Sequence, residues 1–439
     1  MPEYAPDGEG LPHIVVINRW REHYADYSAY LDHTTHRVTY VSTDVGLGSV
    51  PAEATGTELV AATDDLPAVR AAVARLAGRH GTPRGVVALK EDDLLVGARL
   101  RAEWGLPGPR PDGLLRFRDK YLMCRAVAEA GLPVPAFAAA SHPDDVRAFA
   151  RREGYPVVLK PRVGSSSAGV RILNGPQDLP RGCEFAEPML AQSFDGRPIH
   201  HVDGIFDGTR TTRLRVSRYL NTCLGFREGS FLGSVEVDDA AVVHAVEAAA
   251  TSYLTALTDD VTPFHLELFV APGHEGVRCS FMEVGARVGG AEIPFIWREL
   301  HGYDLMRAAF DIQLGRVPAA TGAPPTGEVG GWLLIPAPAA RPCRITDVTS
   351  MTGLSPGPYA EVVLSPGGVL PEADAYYEHV GGRFRFRGRT STEVAEALTH
   401  TATRFRVGAE PLSGERAADL RPGSATRWTT DTVPLDVTG

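Results

Sequence analysis

The stretch 262–290, TPFHLELFVAPGHEGVRCSFMEVGARVGG, constrains the fold more than any other part of the chain. Two apolar runs, Phe264–Val270 and Val277–Val284, flank a turn of Pro, Gly, His, Glu and Gly. That pattern predicts a β-hairpin or two neighbouring antiparallel strands. Each strand carries one carboxylate among apolar neighbours: Glu267 between Leu266 and Leu268, and Glu283 between Met282 and Val284. A buried carboxylate without a partner is costly, and two that face each other repel. A hard divalent cation with oxygen ligands satisfies both, whereas on a solvated sheet face neither needs a partner. Arg287 follows four residues after Glu283, ahead of Gly289 and Gly290. A fixed positive charge beside a cation site suits a place where anionic oxygens react. The two glycines leave room for a substrate carboxylate or carbonyl to reach backbone N–H groups.

Composition narrows the class. The chain has 439 residues, room for roughly three domains of ~150 residues each. Hydrophobic residues make up 44% and charged residues 22%, which is enough apolar material for ordinary globular cores. The formal net charge of -10 and the lack of a long basic block argue against a nucleic-acid partner. The opening MPEYAPDGEG is acidic and polar, so no secretory signal is expected there. No apolar run reads as the ~18 residues of a membrane span. Cys124, Cys183, Cys223, Cys279 and Cys343 are scattered singly, without C-x-x-C spacing. They are expected to be reduced thiols of a cytoplasmic protein rather than a disulfide or zinc framework.

Along the chain, HIVVINRW, HRVTYVST and GVVALKEDD read as strands alternating with helices around Asp65–Ala77 and Leu94–Leu100. That alternation predicts a parallel α/β sheet, in which ligands bind at the carboxyl ends of strands. Asn18 and Glu91 stand at such ends as candidate substrate contacts, or as plain loop residues. GLPGPRPDG, residues 105–113, marks the first domain boundary. Asp119 then caps a helix that Gly131 ends. Lys120 lies in the first turn of that helix, where the helix dipole disfavours a cation unless it reaches an anion.

The second informative stretch is YPVVLKPRVGSSSAGVRIL. It reads as a strand ending in Lys160, a loop Gly164-Ser165-Ser166-Ser167-Ala168-Gly169, and another strand. Glycines free the backbone N–H groups to turn onto an anion, and serines add donors. The spacing is not that of a dinucleotide fingerprint, a P-loop or a kinase glycine loop. A phosphate-covering hairpin or a plain flexible one remains. A helix around Ala240–Leu257 follows, and Thr390 with Glu393 reads as a capping box.

The order of these parts resembles the ATP-grasp superfamily: Lys120, then VVLKPRVGSSSAGV, AEPML, HLELF and MEVGARVGG, over about residues 112–312. The resemblance implies an α/β and α+β fold. It would comprise an N-terminal domain over 1–110, a small lobe over 111–190, a metal-binding lobe over 191–315, a β-rich region over 316–408 and a polar tail over 409–439. It implies ATP between two lobes, with Lys120 and Lys160 on its phosphates and Gly164, Ser165, Ser166, Ser167 and Gly169 in a closing lid. Glu187 and Leu190 would lie at the adenine hinge and His201 near the ribose. Glu267 and Glu283 would hold Mg²⁺ or Mn²⁺, and Arg287 would stabilise an acyl phosphate. Gly289 and Gly290, from the room they leave, and Glu91, from its strand end, are the candidate substrate contacts. Many members carry Asn where this chain has Gly285, so fewer protein ligands would hold a second metal. The E-x-x-x-R-x-G-G variant resembles the L-amino acid ligases. The activity implied is joining a small carboxylic acid to an amine with ADP release. The alternatives are a carboxylase using bicarbonate and a nucleotide-binding protein without ligase activity. A homodimer is compatible with the sequence.

Overall fold

The computed structural model describes residues 10–20, 24–179, 184–274, 276–319, 322–323, 325–371, 380–412 and 428–432. Its contacts divide the chain into two units. One runs to Leu114 and includes Met306–Ala319; the other holds Leu115–Leu305 and the remaining C-terminal residues.

The first unit is built on a parallel sheet of β1 (His13–Asn18), β2 (Arg37–Ser42), β3 (Gly56–Leu59) and β4 (Pro83–Ala88) in the order β3-β2-β1-β4. The strand β3, GTEL, carries no apolar run that would mark it in the sequence. Every residue of β1 is buried, as a central parallel strand covered on both faces requires. The helix Leu66–His80 starts where the Asp65 side chain accepts from Ala68 N and ends at Gly81, at φ +93°. Its buried stripe is Val69, Ala72, Val73 and Leu76. A distant segment completes this unit. The Gln313 side chain donates to Ala88 O at 2.6 Å and accepts from Ala88 N at 2.7 Å, supplying the bonds a further strand would make. Buried Arg101 donates to the same Gln313 oxygen at 2.9 Å.

The second unit starts at the helix Lys120–Glu129, where the Asp119 carboxylate accepts from Tyr121 N and Leu122 N. A small antiparallel sheet follows: β5 (Phe137–Ala140), β6 (Val157–Pro161), β7 (Arg171–Leu173) and β8 (Met189–Ser193), ordered β5-β8-β6-β7. The large sheet begins with β9 (Ile199–Phe206), β10 (Thr211–Tyr219), β11 (Leu232–Glu236), β12 (Thr262–Gly273) and β13 (Gly276–Gly285). The strands β14 (Val329–Pro336), β16 (Ala360–Leu364), β18 (Val380–Gly388) and β20 (Trp428–Thr432) continue it. Its order is β13-β12-β9-β10-β11-β14-β18-β16-β20. The residues expected to form a separate β-rich region thus pair edge to edge with the lobe that carries the two glutamates. A third sheet joins β15 (Cys343–Val348), β17 (Val369–Leu370) and β19 (Val407–Pro411).

Part of the expected polar tail is therefore paired strand. Residues 413–427 and 433–439 lie outside the described residues, as does Cys183; the other four cysteines are free thiols. Thr390 caps the helix Ser391–Arg404 by accepting from Glu393 N. The returning bond to Glu393 comes from Arg389 N, one residue before the cap. The helix Ala240–Leu257 is long and apolar enough to meet the length and composition of a membrane span, which corrects the sequence reading. Val246, Ala250, Tyr253, Leu254 and Leu257 are its buried stripe.

Candidate active site

Strand alternation builds the site. Side chains two apart share a face, and directly opposed cross-strand partners share it too. On β12 the run HLEL sends His265 and Glu267 to one face and Leu266 and Leu268 to the other. The register pairs Glu267 with Glu283 on β13 and with His201 on β9, and pairs His265 with Asp203 on β9. A bulge follows Glu267, where the register passes over Met282. Through Ser217, Tyr219, Ser234, Trp332 and Leu334 the same face continues onto β10, β11 and β14.

This face floors a cavity of about 250 Å³. Its lining includes Lys120, Lys160, Gly164, Ser165, Ser166, Ser167, Glu267, Glu283, Arg287 and Gly290, all singled out by the sequence. Lys120 Nζ donates to Gly164 O at 3.0 Å and stands 3.6 Å from Glu283 Oε2. Lys160 is the penultimate residue of β6 and is buried at the cavity wall. The serine loop is also held from the opposite side, where Arg227 Nε donates to Ser166 O at 2.7 Å. Ser166 and Ser167 both sit at positive φ, +53° and +54°, a conformation disfavoured for residues with a Cβ. The backbone there is strained, as in segments set up to grip or release a ligand.

Glu267 is nine-tenths buried and yet ionised. Burial pushes its carboxyl up, but hydrogen bonding and charge from His265, with the Tyr219 hydroxyl bond, outweigh this and hold it below the usual carboxylate range. Tyr219 Oη donates to Glu267 Oε1 at 2.8 Å. His265 Nε2 lies 3.6 Å from that oxygen, and its Nδ1 is 2.8 Å from Asp203 Oδ1. Burial lowers His265, but the Asp203 carboxylate raises it further, to about 9. The other Asp203 oxygen takes His201 Nδ1 at 2.7 Å, and His201 Nε2 meets Ser234 Oγ at 2.7 Å. His201, Asp203 and His265 would be close enough to share a metal ion. Direct hydrogen bonds link Asp203 to both imidazoles, so these three groups already satisfy one another. The oxygen pair Glu267 and Glu283, facing the cavity on adjacent strands, is the donor set that suits a hard divalent cation.

Several sequence candidates fall elsewhere. Glu187 is exposed before β8 and does not line the cavity. Leu190 is fully buried within β8 beside Lys160. His201 is a buried member of the Asp203 network, so it presents no surface to a ribose. Gly289 packs against that network: a Cβ there would overlap Asp203 Oδ1 and press on His265. Its role is close packing rather than room for substrate. Gly169, at φ +70°, backs onto Pro161. Glu91 belongs to a short turn of the first unit. Asn18 is buried, donating to Gly46 O and Ser49 Oγ.

The sequence reading missed the end of β8. Gln192, Ser193, Phe194 and Asp195 line the cavity, a strand's length after the expected hinge. Phe194 and Ile172 are 44% and 37% exposed, apolar surface opening on a polar site. The signal was present in SFDG, where an aromatic residue follows a strand in an otherwise polar turn.

Residues 119–218 match the family model of the carbamoyl-phosphate synthase L chain ATP-binding domain. The L-arginine-specific L-amino acid ligase of Bacillus subtilis is 24% identical over 284 residues, 61% of this chain and 65% of that protein. The chain therefore matches a little under two thirds of that relative's length. Among solved structures, an L-amino acid ligase from Bacillus licheniformis superposes with a TM-score of 0.71 at 17% identity, covering 91% of this chain and 99% of that one. The N5-carboxyaminoimidazole ribonucleotide synthetase of Thermotoga maritima gives 0.61 at 14% identity, covering 91% and 100%. A biotin carboxylase from Campylobacter jejuni gives 0.60 at 13%, covering 91% and 92%. Residues 119–218 match an ATP-binding domain of the ATP-grasp kind, and the architecture around them has the ATP-grasp fold of these solved structures. Within that class it resembles the L-amino acid ligases.

Proposed function

We propose that the protein is an ATP-dependent ligase that joins the carboxylate of an amino acid to an amine, releasing ADP and phosphate. One observation carries this reading. A single cavity gathers two lysines, a glycine–serine loop, a cross-strand pair of glutamates and Arg287. Ile172 and Phe194 offer apolar surface for a purine, and Lys120 and Lys160 supply positive charge for phosphates. A divalent cation held by Glu267 and Glu283 would neutralise phosphate oxygens, the main help a protein gives to phosphoryl transfer. A carboxylate oxygen of the acid bonds to the γ-phosphorus of ATP, and ADP leaves. The amine nitrogen then bonds to the acyl carbon, phosphate leaves, and the nitrogen loses a proton. Arg287, in the lining of the same cavity, would stabilise the negative charge that develops in that second step. The described cysteines are unpaired thiols, in keeping with a cytoplasmic enzyme.

The cavity wall narrows the substrate. Leu224, Leu232, Ile293, Trp332 and Leu334 line it. Among the described lining residues the carboxylates are Asp195, Glu267 and Glu283. Asp195 is engaged by Arg197, with Nε at 2.8 Å from Oδ1. A guanidinium side chain would thus meet hydrocarbon and no spare carboxylate. We read the preferred side chain as apolar. Bicarbonate, the acid of the carboxylase alternative, would leave this wall unfilled.

Incubation with Mg-ATP, hydroxylamine and single amino acids tests the reading. Leucine, methionine or phenylalanine should yield a hydroxamate and ADP, with arginine slower by roughly tenfold or more, the scale at which pockets discriminate. ATP turnover stimulated by bicarbonate alone, without hydroxamate from any amino acid, would instead establish the carboxylase alternative. AMP as product would reject an acyl phosphate altogether.

A further inference from the structure

The two oxygens of the Glu267 carboxylate have different surroundings. Oε1 accepts the Tyr219 hydroxyl at 2.8 Å and has His265 Nε2 at 3.6 Å. Among the described residues no hydrogen bond is made to Oε2. The groups around Oε1 are themselves fixed. Asp203 Oδ1 holds His265 Nδ1, which determines the ring nitrogen that faces Glu267. Asp203 Oδ2 is held in turn by His201, whose other nitrogen rests on Ser234. The His201 ring lies 4.8 Å from the Tyr219 ring and 5.3 Å from the His265 ring. Gly289 closes the network, since its lack of a Cβ lets the backbone pack onto Asp203. His201, Asp203 and Ser234 are almost wholly buried, so this arrangement is part of the core.

A carboxylate that is free to rotate can present either oxygen, or both, to a cation. Here rotation about the side-chain bond would break the Tyr219 bond and draw Oε1 away from His265. We propose that Tyr219 and the Asp203-anchored His265 are positioning residues that reserve Oε1 of Glu267 and leave Oε2 as the single oxygen it gives to a divalent cation. The proposal rests on the metal reading above. It assigns work to a buried chain of residues, His201, Asp203, His265 and Tyr219, that the ligase reaction itself does not use. Partners of this kind, one bond removed from a metal, typically change its affinity 10–100-fold when removed.

The test is Mn²⁺ binding to the full chain in the presence of saturating ADP, counted by the EPR signal of free Mn²⁺. Thermal melting without metal is followed in parallel. Tyr219→Phe keeps the ring and removes the hydroxyl. It should raise the Mn²⁺ dissociation constant by roughly tenfold or more while the protein stays folded at the assay temperature. Asp203→Asn keeps the shape and weakens the hold on His265, and it should also weaken Mn²⁺. His265→Gln, which restores a donor towards Glu267, should bind Mn²⁺ more tightly than His265→Ala. A folded Tyr219→Phe protein with wild-type affinity overturns the proposal, whatever becomes of the buried variants. Glu267→Gln separates the two levels of the argument. If it too leaves Mn²⁺ binding unchanged, the metal reading has failed; if it weakens binding and Tyr219→Phe does not, only the positioning claim has.

Discussion

Glu267 on β12 and Glu283 on β13 are direct cross-strand partners, so two carboxylates share one sheet face at the cavity. Lys120 Nζ, 3.6 Å from Glu283, offsets part of the resulting repulsion. Glu283→Gln keeps the shape and removes the charge. It should abolish most Mg²⁺-dependent ATP turnover, by roughly 10²-fold or more, while leaving the melting temperature unchanged or higher. Wild-type-like turnover in a folded variant would remove the pair from the metal site.

Gly289 tests the buried network from outside it. An added methyl would overlap Asp203 Oδ1 and crowd His265 and Ile293. Overpacking of this kind costs about 1–3 kcal/mol. Gly289→Ala should lower the melting temperature and weaken Mg²⁺ dependence together. Replacement without loss of either would mean that the segment moves aside freely.

The serine loop makes a prediction about order. Residues 165–167 line the cavity, and Arg227 holds Ser166 O. Hydrogen exchange at Ser165–Gly169 should slow when Mg-ATP analogue is bound. Arg227→Ala should raise the KM for ATP several-fold with little change in kcat at saturation, because the loop then closes against a lost contact. Exchange that ignores the nucleotide would reject a closing role.

Asp93 predicts a pH effect in the first unit. It is fully buried, and burial raises its carboxyl to about 6, against the lowering effects of Arg19 and of the Thr63 hydrogen bond. Between about pH 4 and 6 the folded state keeps a proton that the unfolded chain has lost, so this group's contribution falls as pH rises through that window. Asp93→Asn removes the effect. The stability of the variant relative to wild type, read from exchange of the β1 amides, should grow by roughly 2–3 kcal/mol from pH 4 to 6.5. A constant difference across that range would contradict the assignment.

Much of the site was legible because its signals are local. The apolar runs FHLELFV and SFMEV predicted two strands each carrying one glutamate, and the strands are Thr262–Gly273 and Gly276–Gly285. Asp119 with Gly131 bounded a helix whose start carries Lys120. Glu187 lies off the cavity although AEPML precedes a strand and looks like a linker. The half-exposed Phe194 that follows that strand is the residue that reaches the cavity. His201 was misplaced because alternation gives its face but not what covers that face.

By itself, the sequence determined the local elements: which runs alternate, where a cap or a glycine stops a helix, and which residues carry charge into an apolar strand. These depend on neighbours within a few positions. Only the tertiary structure decided the pairings made at long range. Gln313 bonds both backbone groups of Ala88 from 225 residues away. Tyr219 selects one oxygen of Glu267. Gly289 is small because Asp203, on another strand, lies against it. A side chain's type fixes what bonds it can make, but its partner is set by packing, and no pattern within a window of the chain records which distant group will be brought alongside.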